Sequence, residues 1–363
     1  MNPPYSQKGD NLHEWDFIIR MLNGLSKNAT GITIVPMSVA IDTKHPLREN
    51  LLNEHRLEAV MSMPDDLFYP IGTVTCIMVF TAHTPHNNDK HHESWFGYWK
   101  DDGYRKDRVQ GRIPKNNEVC EKIKDKWLTD FSNKKAIPGK SIRRKVSKDD
   151  EWCAEAYLET DYKRLSDEFF IENIKKYIAF NFSKKTSNSN IKATPALQKS
   201  FILNTANWKF FDYDSANPKS IFIIKKGKRL TEPDQNLGDI PYISSSSNNN
   251  GLDNFIDNGF TDENCLSFAC YGSIGEVFYQ KEKSWVSDNC NTIYLRDRKF
   301  NVYLAMFFVT LLRLEQFRFS YGMTAKKERL QSFKVKLPVD KNGNPDWQFM
   351  EDYIKSLPYS SSI

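Results

Sequence analysis

Between residues 14 and 80 the chain alternates helical periods with short, wholly apolar extended runs, which restricts it to a sheet with helices laid on its faces. Glu14 to Leu25 places Trp15, Ile18, Ile19, Leu22 and Leu25 at helical spacing, Gly31 follows as a stop, and Ile32-Thr33-Ile34-Val35-Pro36 reads as a buried strand. A second unit repeats the order, with Leu51 and Leu52 on one face of Arg48 to Glu54, and then Leu57 to Pro64. A third apolar strand, Thr73 to Phe80, follows the loop Pro64 to Gly72. Strands covered on both faces lose their polar alternation, so the expected class is α/β. The runs ending in Pro36 and Pro64 direct their C-termini to the edge at which such sheets bind ligands.

Helical period returns at Leu165 to Phe180, and Ser183 to Ser200, rich in Ser, Thr, Asn and Lys, has none. This predicts a first domain over 1–182 that ends in a helical extension, a linker over 183–200, and a second domain over 201–363. In the second domain short β-like runs (Ser220 to Ile224, Ile240 to Ser244, Cys265 to Tyr271, Val277 to Gln280, Asn291 to Leu295) surround one helix near Val302 to Phe319, an α+β texture. With 51 Lys+Arg against 46 Asp+Glu, any nucleic-acid surface must come from local clustering. Lys134, Lys135, Lys140, Arg143, Arg144, Lys145 and Lys148 form one such run without an acid, either a solvated face or a phosphate-contacting strip. Six cysteines without a C-x-x-C pair suggest reduced thiols and a cytoplasmic protein. The longest apolar run, Tyr303 to Leu312, is about half of what a membrane span needs, so no membrane is expected.

The tetrad Asn2-Pro3-Pro4-Tyr5, followed by Ser6, resembles the signature of enzymes that methylate an exocyclic amino group on a nucleobase, and that resemblance implies specific chemistry. An amino nitrogen conjugated to a nucleobase is a poor nucleophile, and it gains reactivity when acceptors hold its hydrogens and draw it toward tetrahedral geometry. The Asn2 side-chain oxygen and the Pro3 carbonyl are such acceptors, and consecutive prolines fix the direction of that carbonyl. Tyr5 offers a flat face for a base flipped from the duplex. His83, His86, His91 and His92, with Asp89 and Glu93, have spacings compatible with a metal. No cysteine joins them, and Pro85 with two Asn marks a surface loop, so no metal is expected. Gly272-x-x-Gly275 lacks the lysine of a phosphate loop.

With these motifs in order, residues 2 to about 112 resemble the C-terminal half of the catalytic domain of gamma-class N6-adenine DNA methyltransferases, in particular the modification subunit of type I restriction-modification systems. The resemblance rests on the tetrad, Ile32 to Pro36, Arg48, Leu57 to Val60, Met63 to Phe68, Gly72 to Thr75, Phe96 to Trp99, Asp102 to Tyr104 and Arg108 to Arg112. It implies half of a Rossmann-like methyltransferase sheet, with Asn2, Pro3, Pro4 and Tyr5 as catalytic residues and Phe68 and Tyr69 as candidates to close the other face of the base. The second domain resembles a target recognition domain of a type I specificity subunit through Trp208 to Phe211, Gly227 to Thr231, Gly238 to Ile243, Tyr271 to Val277 and Leu337-Pro338. Its implied DNA contacts are Lys228, Arg229, Tyr271, Lys326, Lys327 and Arg329, with Asn248, Asn249 and Asn250 as base readers.

The family uses S-adenosylmethionine, held by a glycine-rich turn that precedes the tetrad. The first glycine here is Gly9 and no later turn replaces that loop, so the cofactor site is expected to be incomplete in this sequence. The implied partners are double-stranded DNA, an upstream methyltransferase half or a modification or restriction subunit, and a second copy, because one recognition domain reads only a half-site. The same residues admit a second reading, a non-catalytic DNA-binding specificity module of a restriction-modification complex.

Overall fold

The computed structural model describes residues 1–5, 13–88, 91–107, 109–184, 201–320 and 323–363. Ser6, Asp89, Arg108, Gly322 and, from residue 185 on, the linker expected over 183–200 therefore lie outside the described residues. The chain divides into two compact units, Met1–Thr160 and Asp161–Ile363.

The first unit runs α1 (Glu14–Asn23), β1 (Thr30–Pro36), α2 (Met37–Ile41), α3 (Leu47–Glu54), β2 (Arg56–Ser62), β3 (Thr75–Thr81), β4 (Ser94–Tyr98), β5 (Tyr104–Asp107), β6 (Gly111–Pro114), α4 (Asn117–Asn133) and β7 (Ser141–Arg144). Five strands form one sheet in the order β1-β3-β2-β4-β7. β3 lies antiparallel between β1 and β2, β2 and β4 are parallel, and β7 is antiparallel to β4. The sheet is thus mixed, with its first and second strands pointing the same way. β5 and β6 form a separate two-stranded hairpin.

His13 caps α1: its Nδ1 accepts from the Trp15 amide, and the Asp16 carboxylate accepts from the His13 amide. Trp15, Ile18 and Leu22 are buried. Gly31, expected as a stop, is the second residue of β1. A Cβ there would come within 2.6 Å of the Leu22 side chain, so its missing side chain is what lets α1 lie against the strand. Ala59, Met61, Val79 and Trp95 form a core cluster against which Trp127 and Phe131 of α4 pack, and Trp127 stacks flat on Trp99 at 5.0 Å.

Arg48 is fully buried. Its guanidinium donates to four backbone carbonyls, those of Lys148, Asp150, Ala40 and Val39, and lies 3.7 Å from the centre of the Trp152 ring. The sequence marked this residue as a family feature, and its place in the fold is that of a structural pin.

The second unit comprises α5 (Asp167–Lys184), β8 (Lys209–Asp212), β9 (Phe222–Lys226), β10 (Leu237–Ile243), β11 (Leu252–Ile256), β12 (Cys265–Ala269), β13 (Val277–Gln280), β14 (Trp285–Val286), β15 (Cys290–Leu295), α6 (Val302–Arg313), α7 (Lys327–Gln331), β16 (Lys334–Leu337) and α8 (Trp347–Ser356). The sheets are β13-β12-β15-β9, β11-β10-β14 and β16-β8. α6 is buried on every side from Leu304 to Arg313, as a helix apolar all round must be. The expected helix to Phe319 continues beyond Arg313 as a 3₁₀ turn, Leu314–Arg318.

α5, expected as an extension of the first domain, belongs to this unit. Phe170, Ile174, Tyr177 and Ile178 join the core around α6, and Asn173 Nδ2 donates to Thr310 Oγ1 at 3.1 Å. Periodicity shows that a helix has an apolar face but not which core receives it. All six cysteines are buried free thiols. Among the described residues no helix is long and apolar enough to cross a membrane.

Candidate target-base site and nucleic-acid interface

The tetrad is anchored by the sheet. The Met1 amino group donates to Ile32 O at 2.6 Å, and the Ile34 amide donates to Met1 O at 2.9 Å. Two bonds from one residue to the residues flanking Thr33 form a parallel bridge along the outer edge of β1. The chain leaves that bridge in the direction of β1, which carries Asn2 to Tyr5 toward the C-terminal ends of β1 and β2, the edge expected from the sequence. Asn2 and Pro4 are exposed, Pro3 is buried and Tyr5 is half-buried.

At that edge the Tyr5 ring meets Phe68 edge-on, with centroids 6.2 Å apart and planes at 89°. Phe68 is half-buried and Tyr69 is exposed. Burial foremost, and then the neighbouring Cys76 and Glu14, raises the Tyr5 pKa, so the phenol stays neutral. Its hydroxyl has no hydrogen-bond partner among the described residues.

The loop that carries Phe68 and Tyr69 is braced from several elements. Lys100 Nζ sits 2.6 Å from Asp65 and 3.5 Å from Glu155, a buried carboxylate that accepts from Ser62 Oγ at the end of β2. Arg112 bonds Asp66 at 2.9 Å and grips Asp102 through both terminal nitrogens, at 2.7 and 2.8 Å. Burial alone would raise the Asp102 pKa, and the Arg112 bonds outweigh it and hold the group below its ordinary value. Sequence reasoning marked Arg112 and Asp102 only as family features and missed Lys100 and Glu155, because nothing local marks partners 35 to 93 residues apart.

The basic run has local partners. Arg143 pairs with Glu93 at 3.4 Å, Lys148 with Glu49 at 2.9 Å, and Arg144 lies over the Tyr157 ring. Lys135, Lys140 and Lys145 remain exposed.

The histidines are fastened to backbone. His86 Nδ1 accepts from the Leu57 amide and its Nε2 donates to Val146 O, while His92 Nε2 donates to Leu57 O and His83 Nε2 to Leu25 O. Burial, followed by His92, pulls the His86 pKa down to about 4. An unfolded histidine titrates near 6.5, so between those values the unfolded chain binds more protons. The contribution is therefore full above about pH 6.5 and lost as pH falls toward 4, at most about 3 kcal/mol. Urea midpoints of the wild type should fall over that window, and His86→Gln should flatten the fall. A pH-independent midpoint would refute the assignment.

In the second unit several expected DNA contacts converge. Lys226 pairs with Asn291 and Ala269 with Cys290, so the end of β9, the turn after β12 and the start of β15 share one end of the sheet. Asn291 Nδ2 donates to Ala325 O at 2.9 Å and thereby brings the segment before α7 to the same end. Lys228, Arg229, Tyr271 and Lys326 are exposed there, while Lys327 and Arg329 are half-buried on α7.

Asn248 and Asn249 are exposed but lie apart, lining a cavity of about 250 Å³ with Asn173, Tyr177 and Phe278. Asn250 is not available to a base. It is buried, and its Nδ2 donates to Tyr279 O at 2.9 Å and to Gln280 Oε1 at 3.3 Å. Its φ of 56° is left-handed, which asparagine tolerates and alanine resists. Asn250→Ala should cost about 1–3 kcal/mol in thermal or urea unfolding and leave DNA affinity unchanged. An affinity loss without destabilisation would restore it as a base reader.

A mixed sheet that presents Asn-Pro-Pro-Tyr at the C-terminal edge of its strands, joined in sequence to an α+β unit with basic loops at one sheet end, defines the class of DNA-modification protein that carries its own specificity domain. Residues 2–185 match the family described as N-6 DNA methylase, and 212–358 match the type I restriction modification DNA specificity domain. The chain belongs to the N-6 DNA methylase family and joins part of such a methyltransferase to a restriction-modification specificity domain.

It is 28% identical over 183 residues to the specificity subunit of the type II restriction enzyme BcgI of Heyndrickxia coagulans, a match covering 50% of this chain and 52% of that one. It is also 28% identical over 191 residues to the restriction and methyltransferase protein of the same system, covering 50% of this chain and 29% of that one. The chain thus spans about half or less of the length of these relatives. The S subunit of a type I restriction-modification system from M. genitalium covers 55% of this chain and 46% of its own, at 12% identity and a TM-score of 0.32.

Proposed function

We propose that this chain supplies the target-adenine and sequence-recognition parts of an N6-adenine DNA methyltransferase. The observation that carries the reading is the meeting of Tyr5 and Phe68 at the C-terminal edge of the sheet, directly after the Met1 bridge. The exposed Asn2 amide oxygen and the Pro3 carbonyl hold the adenine amino hydrogens, Tyr5 stacks the flipped base, and Phe68 or Tyr69 walls its other side. Sequence is read by the second unit, where Lys228, Arg229, Lys326 and Lys327 hold phosphates and Tyr271, Asn248 and Asn249 lie nearer the bases. The protein works in the cytoplasm on double-stranded DNA.

S-adenosylmethionine, bound in the family, supplies the methyl group. The residues present fit the acceptor side of the reaction. No Phe-x-Gly-x-Gly turn occurs in the 363 residues, so the donor loop comes from residues N-terminal in the same polypeptide or from a modification or restriction subunit.

Calorimetric titration of this chain with S-adenosylmethionine should show no micromolar binding, and a plasmid methylation assay should show transfer only when the donor half is added. Micromolar binding by the chain alone would overturn the division of labour. Failure of every donor half to restore transfer would favour the non-catalytic specificity module.

A further inference from the structure

We propose that the β5–β6 hairpin is a DNA-gripping ribbon that holds the phosphates beside the target base, an inference that rests on the proposed base-binding role of Tyr5 and Phe68. Among the described residues the two strands pair only with each other, and β5 is exposed along Tyr104, Arg105 and Lys106. A lone two-stranded hairpin is marginal in water. This one is closed at its base, where the Lys115 amide donates to Gly103 O at 2.9 Å, and tied farther along, where Arg112, opposite Lys106, bonds Asp66 and Asp102.

The charge of the ribbon identifies the partner, with Arg105 and Lys106 on its two opposite faces. Arg105 and Lys106 are exposed, and neither forms an ion pair among the described residues. The one acid on the ribbon, Asp107, is turned inward to the tip, where its carboxylate accepts from the amides of Val109 and Gln110 at 2.9 and 2.8 Å. These bonds hold its pKa below the usual value. Val109 stands there 92% exposed.

Position completes the case. Lys106 Nζ lies 5.8 Å from the centre of the Tyr69 ring, so the cationic strand borders the loop assigned to the flipped base. A two-stranded ribbon has the width to enter the major groove, and its two cations then lie against the polyanionic backbone.

The test is the salt dependence of duplex binding by the full chain, followed by fluorescence anisotropy with a labelled mixed-sequence duplex. Each phosphate contact contributes about 0.9 to the slope of log affinity against log salt. R105Q/K106Q should therefore reduce the slope by about 1.8, so that across a fourfold rise in salt it loses roughly tenfold less affinity than the wild type. R105K/K106R should keep the wild-type slope, and matching circular dichroism melts would show that the fold is intact. A wild-type slope in R105Q/K106Q, with the slope lowered only in K326Q/K327Q, would overturn the ribbon and leave DNA recognition by the second unit standing. Absence of duplex binding by the wild type would overturn both the ribbon and the function it rests on.

Discussion

Tyr5→Ala, assayed with the donor half supplied, should lower methylation by about tenfold to a hundredfold while duplex affinity falls by less than about threefold. Stacking of one base on one aromatic ring is worth roughly 1–3 kcal/mol, and it is spent on the extrahelical base rather than on the duplex as a whole. Tyr5→Phe should stay close to the wild type, because the Tyr5 hydroxyl has no hydrogen-bond partner among the described residues and burial keeps it neutral. Phe68→Ala should have a smaller effect of the same kind, since it touches Tyr5 by its edge. Equal losses of methylation and affinity in Tyr5→Ala would mean that Tyr5 positions DNA and does not hold the base. A severe defect in Tyr5→Phe would mean that the hydroxyl takes part in the chemistry.

Arg48→Met should destabilise the first unit by about 3–5 kcal/mol, read from urea unfolding through the fluorescence of buried Trp15 and Trp152. Burial pulls the Arg48 pKa to about 10, still well above neutrality, so a charged guanidinium is held without a bonded carboxylate by four carbonyls. Removing it strands those acceptors in the interior and leaves a gap against the Trp152 ring, and each unpaired buried group costs about 1–3 kcal/mol. Arg48→Lys should recover less than half of the loss. A point charge on a flexible stem cannot donate to four carbonyls spread around a plane, nor stack on an indole. A loss below about 1 kcal/mol in Arg48→Met would show that the carbonyls find other donors.

Part of this architecture is legible in local pattern. α1, β1, α3, β2 and β3 announce themselves because each buries a face at its own period, and they occur within a residue or two of where the spacing puts them. β4 to β7 are not announced. Their residues, such as Ser94-Trp95-Phe96-Gly97 and Tyr104 to Asp107, have neither strict alternation nor a continuous apolar run. α5 is legible as a helix and not as part of the second core, since its apolar face reads the same whichever surface it meets. Asn250 illustrates the opposite error. A run of three asparagines suggests polar readout, yet one of them takes a left-handed turn and spends its amide on β13.

The sequence by itself determined the family. The Asn2-Pro3-Pro4-Tyr5 tetrad, its acceptors and its aromatic face are covalent facts, and with the ordered motifs that follow they place the chain among N-6 DNA methylases joined to a specificity domain. Only the tertiary structure decided which side chains work together. It set Tyr5 against Phe68, braced their loop through Lys100 and Arg112, and raised a cationic hairpin beside it. The physical reason is that periodicity records which face of an element is buried, whereas these partners come from different elements and meet only when the sheet closes.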